Sequence, residues 1–554
     1  MYKYPLDCFE LASGRRALLF SSSPLSLGSM LKLKQLAFLA YLLPAGVLAA
    51  IGPTADLHIV NKNIAPDGFS RDTVLAAGTF PGPLIKANKG QTISIDVFDD
   101  LTDNSMDVAT SIHWHGLFQH STNWADGPAF VTQCPIIPGD SFRYTFSTGN
   151  QYGTYWYHSH LSAQYCDGLR GPLIIYDPND PNRYMYDVDD ESTVVTLADW
   201  YHYLSTEAPP IPAPSTTLIN GLGRYQGGLD SPLAVIGVTR GKRYRFRLVS
   251  ISCDPNFVFS IDQHKMTIIE VDGNNVKPLV VDSLQIFASQ RYSVVVSANQ
   301  KIDNYWIRAN PNTISPGFDN GRNSAILRYS GAPAVDPTTA LVNSTQPMVE
   351  TNLHASENPG APGKAVPGGA DINYLLNVTF NGLFEVNNVS FIPPDVPVLL
   401  QILSGAKKAS DLLPKGSIYE LQPYKSVELV IPGGAIGGGH PVHLHGHSFS
   451  VVRSAGNDSY NFANPVRRDV VNIGTTQNDQ TTIRFYTDNP GPWFLHCHID
   501  WHLAAGFAAV FAEDVQDTAL VNPTPAAWKN LCPAYNAANQ KVKINTQLKK
   551  LQSP

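Results

Sequence analysis

Residues 496–502 read His-Cys-His-Ile-Asp-Trp-His, a concentration of soft and borderline metal ligands that constrains the backbone around it. Side chains on a β-strand alternate between faces. On a strand, His496 and His498 point one way and Cys497 the other. One short peptide then serves two metal sites with only backbone between them. Cysteine and histidine with a weak or absent axial group make a blue-copper electron-transfer site. A metal cluster on the histidine face would lie about three residues away, on the order of 10 Å of chain. Taken alone, the segment also fits a buried structural cysteine between two surface histidines.

The segment does not stand alone. The chain carries 16 histidines, and three further clusters hold seven of them: His113-Trp-His115-Gly, His158-Ser-His160 and His440-Pro-Val-His443-Leu-His445-Gly. A blue-copper site needs one cysteine and two histidines; Cys497 and His502 lack one, which His440 supplies from outside its neighbouring pair. Eight histidines remain as His-x-His pairs at 113/115, 158/160, 443/445 and 496/498. Eight imidazoles suit three copper ions in one pocket, two with three ligands and one with two. Zinc fits poorly, because a structural zinc site closes with four ligands and a catalytic one with three plus water.

In order and spacing these motifs resemble the copper-binding signature of multicopper oxidases. The stretches Ile112-His-Trp-His-Gly116, Tyr155-Trp-Tyr-His-Ser-His160 and His496–His502 resemble fungal, basidiomycete-type laccases, and the likeness runs from about Ile51 to Cys532. The resemblance implies an all-β fold of three cupredoxin-like Greek-key β-barrel domains, with the trinuclear cluster between the first and third. It implies four copper ions: a type 1 ion on His440, Cys497 and His502, a type 2 ion on His113 and His443, and two type 3 ions, one on His115, His158 and His498, the other on His160, His445 and His496. The implied activity is that of a laccase, which oxidises small phenols one electron at a time at the type 1 ion and reduces O2 to two waters at the cluster. A ferroxidase would share every ligand, and a non-catalytic copper-binding protein is the remoter alternative.

Other residues follow from the same likeness. Phe507 stands ten residues after the cysteine, where a methionine would be an axial ligand; phenylalanine donates nothing and raises the potential. Electrons are expected to enter at His502 and pass through Cys497. Asp254 matches a substrate carboxylate able to accept the phenolic proton, although an aspartate before Pro255 also suits a turn. Phe380 and Phe384 are expected to line the substrate pocket. Asp126 is a candidate proton donor to the cluster, and Asp500 a candidate support for the metal ligands. Around Asn310-Pro-Asn-Thr313 and Ile436-Gly-Gly-Gly439 the chain departs from the pattern, which suggests a wider pocket. His447 is expected to pack or support rather than ligate. His58, His120, His202, His264 and His354 read as ordinary isolated histidines.

Lys32 and Lys34 precede an apolar run ending in Val47-Leu48-Ala49, so residues 30–49 read as a secretory signal peptide and 1–29 as an extension foreign to the pattern. The run is shorter than the roughly 20 residues of a membrane span. Removing 49 residues takes away five basic and two acidic side chains and moves the net charge from −7 to −10. An acidic body argues against nucleic acid and anionic membrane as partners. A secreted, extracellular monomer acting on small phenols and O2 is expected; the natural phenol, whether lignin fragment, pigment precursor or host compound, is not legible.

Of six cysteines, Cys8 falls in the extension and Cys497 is committed to copper, leaving Cys134, Cys166, Cys253 and Cys532 with three possible pairings. The resemblance favours Cys134–Cys532 and Cys166–Cys253. Sequons at Asn343, Asn377, Asn388 and Asn457 fit N-glycosylation. Charged residues make up 15 %, against about 25 % in average domains. Runs such as Gln91–Val97, Arg243–Val249, Tyr292–Val296, Ser426–Ile431 and Thr481–Phe485 read as short strands. Length suggests three domains: 50–180 and 346–554 with the copper half-sites, and 181–345 as spacer and pocket wall. The linkers fall at Asp177–Asn182 and within 331–370.

Overall fold

The computed structural model describes residues 50–313 and 316–538. The segments 1–29 and 30–49, Cys8 among them, lie outside the described residues.

All five predicted runs form strands, at Thr92–Asp99, Arg243–Ser250, Arg291–Ser297, Ser426–Pro432 and Gln480–Tyr486. The strands build three successive pairs of sheets and one two-stranded ribbon, Val378–Phe380 with Phe384–Val386. The first pair joins Arg71–Ala76, Thr54–Ile64, Thr92–Asp99 and Ser141–Ser147 in one sheet, and Ile85–Asn88, Arg170–Tyr176, Gly153–Ser159 and Ile112–His115 in the other. The second pair lies between Val194 and Tyr329, the third between Ile372 and Glu513. Each pair repeats one device: its first strand joins a later strand in parallel, and so does an early strand of its other sheet. The parallel ladders are Thr54–Ile64 with Thr92–Asp99 and Ile85–Asn88 with Arg170–Tyr176. Val194–Trp200 with Arg243–Ser250 and Val235–Val238 with Ser324–Tyr329 follow. The last are Ile372–Leu375 with Ser426–Pro432 and Ile418–Leu421 with Ala508–Glu513. Neighbouring parallel strands need a crossover, so chain crosses between the layers of every sandwich. This is the cupredoxin-like architecture, three times over.

Buried charge joins the sandwiches. The alternation of Arg243–Ser250 suggests a polar face, yet Arg245 and Arg247 are buried. Arg245 meets Asp180 Oδ2 at 2.5 Å and Glu270 Oε2 at 2.7 Å, and Arg247 is bidentate on Asp189 at 2.7 Å. The first linker, 177–182, is thereby tied down by the domain that follows it.

The C-terminal helix Ala526–Ala537 does not belong to the third sandwich, where chain order puts it. Its apolar stripe, Trp528, Leu531 and Tyr535, packs into the core of the first sandwich, and Trp528 Nε1 donates to Thr132 O at 3.0 Å. Residues spaced by three and four share a helix face, and that face is covered from far upstream: Trp528 and Thr132 are 396 residues apart, and the Cys134–Cys532 disulfide spans 398. The second disulfide joins Cys166 to Cys253, and Cys497 is free.

Candidate metal centre

Two antiparallel strand pairs position the histidines. In the first sandwich Ile112–His115 pairs with Gly153–Ser159, so that His113 lies opposite His158. In the third, Pro441–Leu444 pairs with Gly491–Cys497, setting His443 opposite His496 and Val442 opposite Cys497. Residues two apart share a face, which adds His115 and His160 to one quartet, His445 and His498 to the other. The quartets interlock: the His113 and His445 rings lie 4.0 Å apart, His115 and His443 3.8 Å apart.

The donor atoms converge. His115, His158 and His498 place one nitrogen each within 4.8 Å of one another, as do His160, His445 and His496, and His113, His115 and His443. Behind them, His113 and His443 donate Nδ1–H to the carbonyls of Asp126 and Asp469 at 2.7 and 2.8 Å, and His158 and His496 donate to those of Ser159 and Cys497 at 2.8 and 2.9 Å. Buried Nε2 of His113, His158, His443 and His498 and Nδ1 of His115 have no hydrogen-bond partner. Orphaned buried nitrogens are costly, and their convergence is what metal ligands require. Burial first, and then one another's charge, hold His115, His158, His160, His443, His445 and His498 well below the ordinary 6.5. Burial lowers His496 to about 3. Neutral imidazoles are the metal-binding form.

On the opposite face of the strand, Cys497 Sγ lies 3.5 Å from His440 Nδ1 and 3.6 Å from His502 Nδ1, and the two nitrogens are 3.1 Å apart. His502 arrives from the short helix Asp500–Ala504 that follows the strand. Burial pushes the Cys497 thiol well up and lowers His440 to about 4; burial, then His440, lowers His502 to about 3. A metal displaces the thiol proton, and one cysteine with two imidazoles is the donor set of blue copper. Phe507 closes the site with an apolar ring 5.3 Å from that of His440, and Phe384 covers His502 at 4.6 Å. Phe380, exposed, packs on Phe384 at 5.0 Å.

The expected acids divide. Asp126 is fully buried, with Oδ2 2.8 Å from His445 Nδ1. Asp254 is half-buried; burial, then Asp199, raises its carboxyl to about 7. Asp500 hydrogen-bonds to none of the candidate ligands; its Oδ2 sits 3.5 Å from Cys166 Sγ beside the disulfide, and burial keeps it well above the usual carboxylate range. It lies between the candidate ligands His498 and His502, at the start of the short helix, and its carboxylate is directed at the second disulfide. His447 pairs with Glu513 at 2.8 Å, and Gly437 lies against His502. Asn343, Asn377 and Asn388 are exposed and Asn457 is half-buried.

Sequence reading missed Asp469, whose Oδ1 lies 3.1 Å from His115 Nε2, and Arg291, which grips Asp469. Neither sits in a motif, and they meet across 178 residues.

Family models described as multicopper oxidase match residues 58–180, 191–332 and 391–517. A laccase of Phlebia radiata is 61% identical over 501 residues, covering 89% of this chain and 96% of that one. Laccase-2 of Pleurotus ostreatus is 59% identical over 89% and 94% of the two chains. The crystal structure of a laccase from Botrytis aclada superposes with a TM-score of 0.77 at 33% identity, covering 88% and 93%. Three family models, two high-identity relatives and a donor set that fits copper agree: the chain belongs to the multicopper oxidases and, within them, to the fungal laccases.

Proposed function

We propose that four copper ions bind in the division expected from the sequence: one on His440, Cys497 and His502, one on His113 and His443, one on His115, His158 and His498, and one on His160, His445 and His496. Bound there, copper supplies the electron-transfer and oxygen chemistry of a laccase, taking electrons singly from phenols and giving four to O2. The residues do the rest. A small phenol meets the Nε2 edge of His502, between Phe384 and the open side of Phe380. Asp254 accepts the hydroxyl proton, and its raised pKa suits it to a near-neutral medium. Cys497 is bonded through the backbone to both His496 and His498, the shortest covalent route between the two centres. Asp126, against His445, is placed to pass protons into the histidine cluster. Among the described residues no helix is long and apolar enough to cross a membrane; a secreted monomer working on phenols and O2 is the setting we infer.

The observation that carries this reading is the strand Gly491–Cys497, which turns Cys497 toward one donor set and His496, with His498 just beyond, toward another. The test is oxygen uptake with 2,6-dimethoxyphenol by wild type and His502→Ala. About four phenols consumed per O2, with uptake lost in the variant, is the expected result. Uptake driven by Fe(II) but not by phenols would overturn it.

A further inference from the structure

We infer that Arg291, from the second sandwich, is a positioning residue for the histidine cluster: through Asp469 it makes His115 present Nδ1, not Nε2, to a metal. The inference rests on reading the cluster as a copper centre. His113, His158, His443 and His496 all engage Nδ1 with a backbone carbonyl, and His445 engages Nδ1 with Asp126. His115 is turned the other way. Its Nε2 lies 3.1 Å from Asp469 Oδ1, and its buried Nδ1 has no protein partner. A carboxylate only accepts, so the ring proton sits on Nε2 and the lone pair on Nδ1.

The Asp469 carboxylate is itself held in a fork. Arg291 Nη1 and Nη2 donate to its Oδ1 and Oδ2, both at 2.6 Å. Arg291 Nε donates to Thr154 O at 3.0 Å, on the strand that carries His158. One fully buried guanidinium therefore touches all three sandwiches. Gly116, next to His115, makes room: a Cβ there would lie 2.5 Å from Arg291 Nη2 and 2.9 Å from Asp469 Oδ2, at a φ of +91°. Lysine, a point charge, does not reproduce a planar two-donor grip. The second sandwich, which supplies no ligand, would thus set the orientation of one.

The test uses the full chain, copper-loaded, as wild type, Arg291→Lys, Arg291→Gln and Arg468→Lys. Arg468 is a built-in comparison: it is equally buried in the adjoining ion pairs with Asp272 and Glu350, and its guanidinium pairs with those two acids rather than gripping the Asp469 carboxylate. Copper loss from the cluster to a chelator is followed against the blue Cys497 copper of the same molecule, with the near-ultraviolet absorption spectrum of the cluster copper. Both Arg291 variants should lose cluster copper about 10–100-fold faster, with an altered near-ultraviolet spectrum and an unchanged blue centre, while Arg468→Lys matches wild type. Wild-type kinetics and spectrum in Arg291→Lys would overturn the inference, as would an equal effect of Arg468→Lys, which would mean general loosening. Should the Arg291 variants fail to fold, Asp469→Asn, similar in shape but uncharged, is held to the same two outcomes. Wild type that takes up copper at Cys497 but none at the histidines defeats the copper reading of the cluster, and this inference with it.

Discussion

Asp126 Oδ2 lies 2.8 Å from His445 Nδ1, joining a carboxylate of the first sandwich to a histidine of the third. The same residue's carbonyl accepts from His113 Nδ1 at 2.7 Å. Replacing the charge while keeping the shape, Asp126→Asn, should slow reoxidation by O2 about 10–100-fold, the usual cost of altering a group that orients a metal ligand. Reduction of the blue centre by a phenol under anaerobic conditions should be unchanged. Stopped-flow absorption separates the two half-reactions, and equal slowing of both would remove the assignment.

Asp254, if it accepts the phenolic proton as proposed, should make phenol oxidation pH-dependent. Burial, and next the Asp199 charge, lift its carboxyl to about 7, so the proton-accepting form is lost as pH falls below that value. Asp254→Asn should lower kcat/KM for phenols about 100-fold and abolish the rising limb of the pH profile, leaving donors without a hydroxyl untouched. Stability has its own sign. A folded pKa above the ordinary 3.8 means that ionisation opposes folding, a penalty absent below about pH 4 and complete above about 7. The asparagine variant should therefore gain in Tm over wild type at alkaline but not at acid pH.

Phe507 is buried against the His440 and Phe384 rings, at 5.3 and 5.4 Å. Phe507→Met brings a thioether donor to that position, which lowers the potential of a blue-copper site. Redox titration should show the drop, with electron-poor phenols losing more rate than electron-rich ones. An unchanged potential would mean that the methionine sulfur does not reach the metal.

Gly437 borders the exposed edge of His502. Its φ of +106° disfavours any side chain, and a Cβ would lie 2.9 Å from His502 Cε1 and 3.1 Å from Nε2. Gly437→Ala should raise KM for bulky phenols and perturb the blue absorption while leaving the copper spectrum of the histidine cluster intact. If KM holds for every donor, substrate does not approach His502 from that side.

The candidate ligands were legible because their identity is a matter of chemistry and their facing is a matter of period. A His-x-His pair on a strand shares a face wherever the strand lies, so the opposed sites of 496–498 needed no tertiary information. The strand runs were legible for the same reason, and so was the all-β class. Tertiary structure decided what lies between sequence-distant groups. Arg291 and Asp469 form no local pattern, and Asp500, two residues beyond His498, meets the second disulfide, which no local pattern announces. The helix Ala526–Ala537 advertises an apolar stripe, but no pattern within it says that the first sandwich covers it. Periodicity acts over a few residues, whereas burial and ion pairing act over a few ångströms of space. Only the folded chain converts one into the other.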